Sequence, residues 1–264
     1  MGILYFFITL FATSIGFSTG IGGGVIIKPV LDALGHFPVE NINVLSALSM
    51  FTMSIFSIFI NIKKFKSYPE FNLKIIIPLG FGSVVGGTMG NSLFSFLTGN
   101  VEKYLVTVTQ NIVLLILMII IYIYMLNKQN VKSLNFRGAL PSTIIGILLG
   151  SISTFLGIGG GPINVALIIL VFGYSTKLAA LSSIVIIFLS QATKIVNVLL
   201  STGFGAYNLS ILPFMLVGAI TGAFTGSKIS KLFSDRQVVM SFNATLIIIM
   251  ILCIFNIIKA LGIV

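Results

Sequence analysis

The sequence predicts an all-α integral membrane protein made of two inverted repeats, each a glycine-broken or re-entrant helix followed by three spanning helices. Three observations predict it. Of 264 residues, 57% are hydrophobic and 8% charged, and the mean hydropathy is +1.16, whereas a soluble domain carries roughly 25% charged residues. Several apolar runs exceed the 18 or so residues that cross a hydrocarbon core of about 30 Å, and the alternating ten-residue pattern of an outer-membrane barrel is absent. The stretch Gly20-Ile21-Gly22-Gly23-Gly24 returns as Gly157-Ile158-Gly159-Gly160-Gly161.

The first apolar segment, 3–19, lacks a basic n-region and has a repeat partner in mid-chain, so it reads as structure and not as a cleaved signal. The glycine cluster breaks it, because glycine without a Cβ turns freely and disfavours helix. The next piece, 25–35, is too short at 1.5 Å per residue to span a bilayer. Segments 41–60, 73–97 and 101–126 are each long enough. NKQNVKSLNFR, 127–137, is the most polar stretch and the natural linker between a first membrane repeat, 1–126, and a second, 138–264. The pattern then restarts with 138–156, the second glycine cluster, a short piece 162–172, and the long segments 177–199, 208–231 and 236–258.

The repeat extends beyond the glycines. At a spacing of 137, Ser14, Ile15, Ile26, Ser46 and Phe51 recur as Ser151, Ile152, Ile163, Ser183 and Phe188. At 136, Gly82, Gly86 and Gly90 recur as Gly218, Gly222 and Gly226, a spacing that lets helix backbones approach closely. Pro78 and Pro213 lie near the start of these two segments with local backbone roles. An internal repeat interrupted at corresponding glycines points to a secondary transporter with its site between the halves.

Loop charges bear on how the halves face. If the long segments simply cross in turn, Lys63, Lys64, Lys66, Lys74, Lys128, Lys132, Arg137 and Lys259 share one side, and Lys28, Lys103, Lys177, Lys228, Lys231 and Arg236 the other, a weak asymmetry. If each glycine cluster is instead the tip of a re-entrant hairpin, Lys177, Lys228, Lys231 and Arg236 join the first group without Lys259. Only Lys28, Lys103 and Lys259 then remain opposite. The positive-inside rule favours this second arrangement, which inverts the second half, puts both termini outside and makes the linker cytoplasmic. The protein is expected in the cell membrane as a multi-pass protein.

Three features could carry chemistry. The glycine clusters either pack helices closely or expose helix N-termini whose free N–H groups and positive dipole end hold an anion. Gly22, Gly23, Gly24, Gly159, Gly160 and Gly161 are the candidates. Lys194, about five residues from the end of its segment, either snorkels to the interface or faces a functional cavity. Ser183, Ser190, Lys194 and Asn197 fall within about 60° on a helical wheel. Asn43, Ser46, Ser54, Ser57 and Asn61 form the equivalent stripe, with Ser57 standing where Lys194 stands.

Several classes are disfavoured. The net charge of +10 sits in short loops, where it sets orientation, so nucleic acid is not an expected partner. A dinucleotide fingerprint would need glycine at Val25 and Pro162, and no cofactor is expected. Cys253 is the single cysteine, and His36 the single histidine, so neither a metal cluster nor a Ser/His/Asp set assembles, and no enzyme is expected. Asp32, Glu40, Glu70, Glu102 and Asp235 fall in or near loops, so no carboxylate is expected to be buried.

The doubled Gly-Ile-Gly-Gly-Gly, Pro29 after its first copy and Ala180-Leu181-Ser182-Ser183 opening a later helix resemble the TauE/SafE family of sulfite and sulfonate exporters, over nearly the whole chain. The first half departs from the pattern with Asn43-Val44-Leu45-Ser46 in place of Ala-x-x-Ser. The resemblance implies a permease for a small sulfur-containing or carboxylated anion, bound at Gly20 to Gly24, Gly157 to Gly161 and Ser183. The expected partners are therefore a small anionic substrate and the lipid bilayer. The alternative is a channel-like or structural membrane protein whose glycines only pack helices.

Overall fold

The computed structural model describes residues 2–65, 68 and 71–262, without the side chains of residues 63–65 and 235. Lys66 and Glu70, counted above among the loop charges, lie outside the described residues, as do the side chains of Lys63, Lys64 and Asp235. The described chain is helical throughout: α1 (Gly2–Thr19), α2 (Gly24–Leu34), α3 (Val39–Phe65), α4 (Leu73–Asn100), α5 (Lys103–Asn127), α6 (Ala139–Leu156), α7 (Gly161–Phe172), α8 (Thr176–Leu200), α9 (Leu212–Leu232) and α10 (Asp235–Ala260). Eight of these are long and apolar enough to cross a membrane, and α2 and α7 are the short exceptions. Residues 208–211, expected in a helix, form a turn instead. Pro213 explains the later start, because proline is favoured in the first turn, where its missing N–H costs nothing.

The chain doubles back at both glycine clusters. The Tyr5 hydroxyl, near the start of α1, lies 2.6 Å from His36 Nδ1, just past the end of α2. In the second half the residues before α6 pair with the end of α7, Leu134 N donating to Leu170 O and Phe136 N to Val171 O, both at 2.8 Å. These bonds also satisfy terminal carbonyls of α7 that have no partner within the helix. Gly20, Gly22, Gly157, Gly159 and Gly160 all have φ between +68° and +82°, which is why the turns are written in glycine.

The halves interlock through their glycines. Along α4, Gly82, Gly86 and Gly90 press on Thr143 O, Ile147 O and Ser151 O of α6; along α9, Gly218, Gly222 and Gly226 press on Phe6 O, Leu10 O and Ser14 O of α1. Each glycine ladder thus packs on the first helix of the other half, and the two contacts correspond at spacings of 136 and 137. The helices α3 and α8 run antiparallel: Asn43 bonds Lys194, the Phe51 and Phe188 rings stack with centroids 5.3 Å apart, and Asn61 shares a cavity with Leu181. Simple successive crossing would make them parallel.

Candidate functional site

The two glycine tips meet. A side chain at Gly161 would fall on Ile21 O, and one at Gly24 on Ile158 O; these are the same contact exchanged at a spacing of 137. Gly20 abuts Ala180 of α8, and Gly157 abuts Asn43 of α3, again a corresponding pair. Gly22 and Gly159 both face Ile187, and Gly23 lies against Thr13. The space beside Gly160 is filled by Ser153 and by the Asn164 amide, whose polar atoms are buried without partners. Among the described residues the amides of Gly23, Gly24, Gly159, Gly160 and Gly161 donate to no backbone acceptor outside the helices, leaving N–H groups at the head of α2 and α7.

A cavity lies on either side of the tips. The first, about 450 Å³, opens at the face that carries the α2–α3, α4–α5 and α8–α9 connections, and is lined by Glu40, Asn43, Val44, Phe94, Ser95 and Lys194 among others. The second, about 240 Å³, opens at the opposite face and is lined by Lys177, Ala180, Leu181, Ser230, Lys231 and Asn61 among others. The linings correspond: Glu40, Asn43 and Val44 become Lys177, Ala180 and Leu181 at 137, and Phe94 and Ser95 become Ser230 and Lys231 at 136. One wall design therefore serves both cavities, with different charges.

Lys194 does not snorkel. Its side chain is 1% exposed at the floor of the first cavity, donating to Asn43 Oδ1 and, at 3.4 Å, to Thr154 O, with the Phe94 ring 5.6 Å away. Asn43 Nδ2 and Thr154 Oγ1 beside it are buried with no partner. Such atoms are costly to bury unless something meets them. No carboxylate pairs with Lys194 among the described residues, so a lysine amine without an acid partner and two unmet polar groups converge on one floor.

Of the expected stripe, Asn43, Ser46, Ser54, Ser57 and Asn61 are all buried, and run along α3 from the first cavity to the second. Ser54, Ser57 and Asn61 bond back to carbonyls of their own helix. Ser46 and Ser183 are different: each hydroxyl is buried with no partner. By helical spacing Ser183 lies between Ala180 and Ile187, the residues that touch the first tip, and Ser46 between Asn43 and Met50, which touch the second. Ser190 bonds Ile187 O and accepts from Gln191. Asn197 is not in the lining of the first cavity but lines an adjoining groove with Thr88 and Ser92, which shares Asn91, Ser95 and Ser201 with that cavity.

One expectation is overturned. The Asp32 side chain, read as a loop residue, is 2% exposed and ion-paired with Lys28 at 2.7 Å. The cause is the hairpin: α2 lies inside the bundle under α5 and α10, so a carboxylate near its end is covered. Sequence reasoning also left Asn43, Thr154 and Phe94 out of the site. Asn43 was marked by its place on the polar stripe; nothing marked Thr154 or Phe94.

The family model described as Sulfite exporter TauE/SafE matches residues 5–253. The chain is also 25% identical over 256 residues to the probable membrane transporter protein YunE of Bacillus subtilis (strain 168), covering 91% of this chain and 92% of that protein. No solved structure matches.

Proposed function

The chain belongs to the sulfite exporter TauE/SafE family and is a multi-pass transporter of the cell membrane, and from that premise we propose that it is a permease for a small anion, a sulfur-containing oxyanion or organosulfonate, working by alternating access between two inverted halves. The observation that carries the reading is Lys194. An ionisable side chain buried without a partner of opposite charge is expensive in a membrane domain, and here Lys194 stands at the floor of an open cavity beside unmet groups, Asn43 Nδ2 and Thr154 Oγ1. An anion completes that set.

In this reading the meeting tips are the barrier between the cavities. An anion held at Lys194 advances along the α3/α8 seam, past the hydroxyls of Ser46 and Ser183, when the tips part. Parting would free the glycine N–H groups at the heads of α2 and α7, whose dipole ends favour negative charge. Correspondence between the cavity walls supports a cycle in which each half closes one face in turn.

The test is flux of sulfite, sulfoacetate and thiosulfate into proteoliposomes. Wild type should show saturable uptake of at least one of them, and Lys194→Met should abolish it. Ser46→Ala and Ser183→Ala remove hydroxyls that have no partner, so they should lower flux while leaving thermal stability unchanged. Non-saturating flux, or full activity in Lys194→Met, would refute the assignment and favour a channel-like protein.

A further inference from the structure

Deepening the permease reading, on which it rests, we propose that Asp32 is a coupling site for a proton that moves with the anion. Asp32 lies eight residues after Gly24, about 12 Å along α2 from the tip. Its Oδ2 accepts from Lys28 Nζ at 2.7 Å and from Asn111 Nδ2 at 3.4 Å, while Oδ1 is buried without a partner. Asn256 closes the cluster, its Nδ2 donating to Pro29 O at 2.9 Å and to Asn111 Oδ1 at 3.2 Å, with its own Oδ1 unmet.

The second half of the chain is an internal control. At a spacing of 137, Lys28 and Asp32 correspond to Val165 and Ile169; at 136 or 137, Asn111 falls on Ile247 or Ile248, and Asn256 on Ile120 or Ile119. The α6–α7 hairpin is thus built with apolar residues at every corresponding position. Exchanging a buried ion pair for apolar residues is often neutral or stabilising, so the hairpin architecture does not call for these charges. An ionisable group inside a membrane domain, with an unmet oxygen, marks function by default.

Among the described residues Lys28 is the one charged group paired with Asp32, and the other titratable groups around α2 are engaged elsewhere or buried. From α10, Lys259 donates to Ala33 O at 2.6 Å and Cys253 is buried nearby; from α1, Tyr5 is held by His36; from α3, Glu40 is paired with Lys103 at 2.9 Å. Helix α7 carries no titratable residue, and α5 presents Asn111. His36 is exposed one turn beyond Asp32, at the face where the first cavity opens. The step balances simply. The Asp32 carboxylate takes one proton from water at that face and becomes the neutral acid, and no other bond changes. Lys28 keeps its proton and is left uncompensated one turn from Gly24, where an arriving anion offsets it. Anion and proton then raise each other's affinity by the same factor.

The experiment has two arms. Infrared difference spectra of the protein in lipid nanodiscs, between alkaline and acidic pH, should show a carboxylic C=O band that is lost in Asp32→Asn and in the packing-preserving pair Lys28→Met with Asp32→Leu. No such band in wild type overturns the proposal whatever transport shows. In proteoliposomes, an imposed pH gradient should drive accumulation of thiosulfate, sulfite or sulfoacetate by wild type. That dependence should be lost in Asp32→Asn, while anion exchange without a gradient continues. Equal gradient dependence in both proteins overturns the proposal. If none of the three anions moves in wild type, the permease reading fails, and with it coupling to an anion, while the band alone keeps Asp32 as a proton-binding group.

Discussion

At the scale of single residues, the Lys194–Asn43 pair gives the sharpest expectation. Removing one partner of a buried charged hydrogen bond strands the other, at about 1.5–3 kcal/mol, whereas replacing the charge by an apolar side chain of similar length strands only a neutral amide. Asn43→Leu should therefore lower thermal stability in detergent more than Lys194→Met does, and the double variant should recover most of the loss. Additive losses in that cycle would mean that the two side chains do not depend on one another. Lys194 and the stripe around it were legible in the sequence because helical periodicity is local. Its acceptor was not, since Asn43 stands 151 positions away and reaches Lys194 only because α3 and α8 cross antiparallel. Asp32 was misread for a related reason: distance from a segment end measures exposure only when the segment spans, and α2 turns back into the bundle.

At the scale of elements, the glycines fall into groups that should respond differently. Gly24, Gly86 and Gly161 have no room, since an added Cβ would stand 2.4, 2.0 and 1.4 Å from the carbonyl oxygens of Ile158, Ile147 and Ile21. Backbone cannot swing aside as a side chain can, so alanine at any of the three should cost about 1–3 kcal/mol or more, with Gly161→Ala the worst. Gly99, the penultimate residue of α4 with nothing within 4 Å, should respond in the opposite way: alanine there should gain helix propensity, by less than the roughly 0.5–1 kcal/mol of a helix interior. Melting temperatures of the four variants in one detergent check both signs. Helix positions and the close-packing glycine ladders were readable because composition and spacing state them directly. Which helix each ladder meets was not, because the partner of α4 is α6 and that of α9 is α1, a swap between halves that no local pattern encodes.

At the scale of the whole molecule, two faces differ in charge and each has a cavity. One face gathers Lys128, Lys177, Lys231 and Arg236; the other has Lys103, engaged by Glu40, and Lys259, engaged by Ala33 O. By the positive-inside rule the first face is expected to be the cytoplasmic one, so the second cavity is expected to open inward and the first outward. Cys253 is buried, so the wild-type background for thiol labelling in intact cells should be low. Lys132→Cys and Lys231→Cys, the latter exposed in the second cavity, should then react only once the cytoplasm is exposed, whereas Gly262→Cys and Ser95→Cys, the latter exposed in the first cavity, should react from outside. Reaction of Gly262→Cys from the cytoplasm alone would refute the inverted arrangement, because hairpins that return to their own face put the end of α10 on the side opposite the 127–137 linker, whereas simple successive crossing puts the two on one side. Substrate adds a second test of the same geometry. If the tips are a barrier that parts in turn, a transported anion should change the labelling rates at residues 95 and 231 in opposite directions, since opening one cavity closes the other; a static pore would change both together or neither.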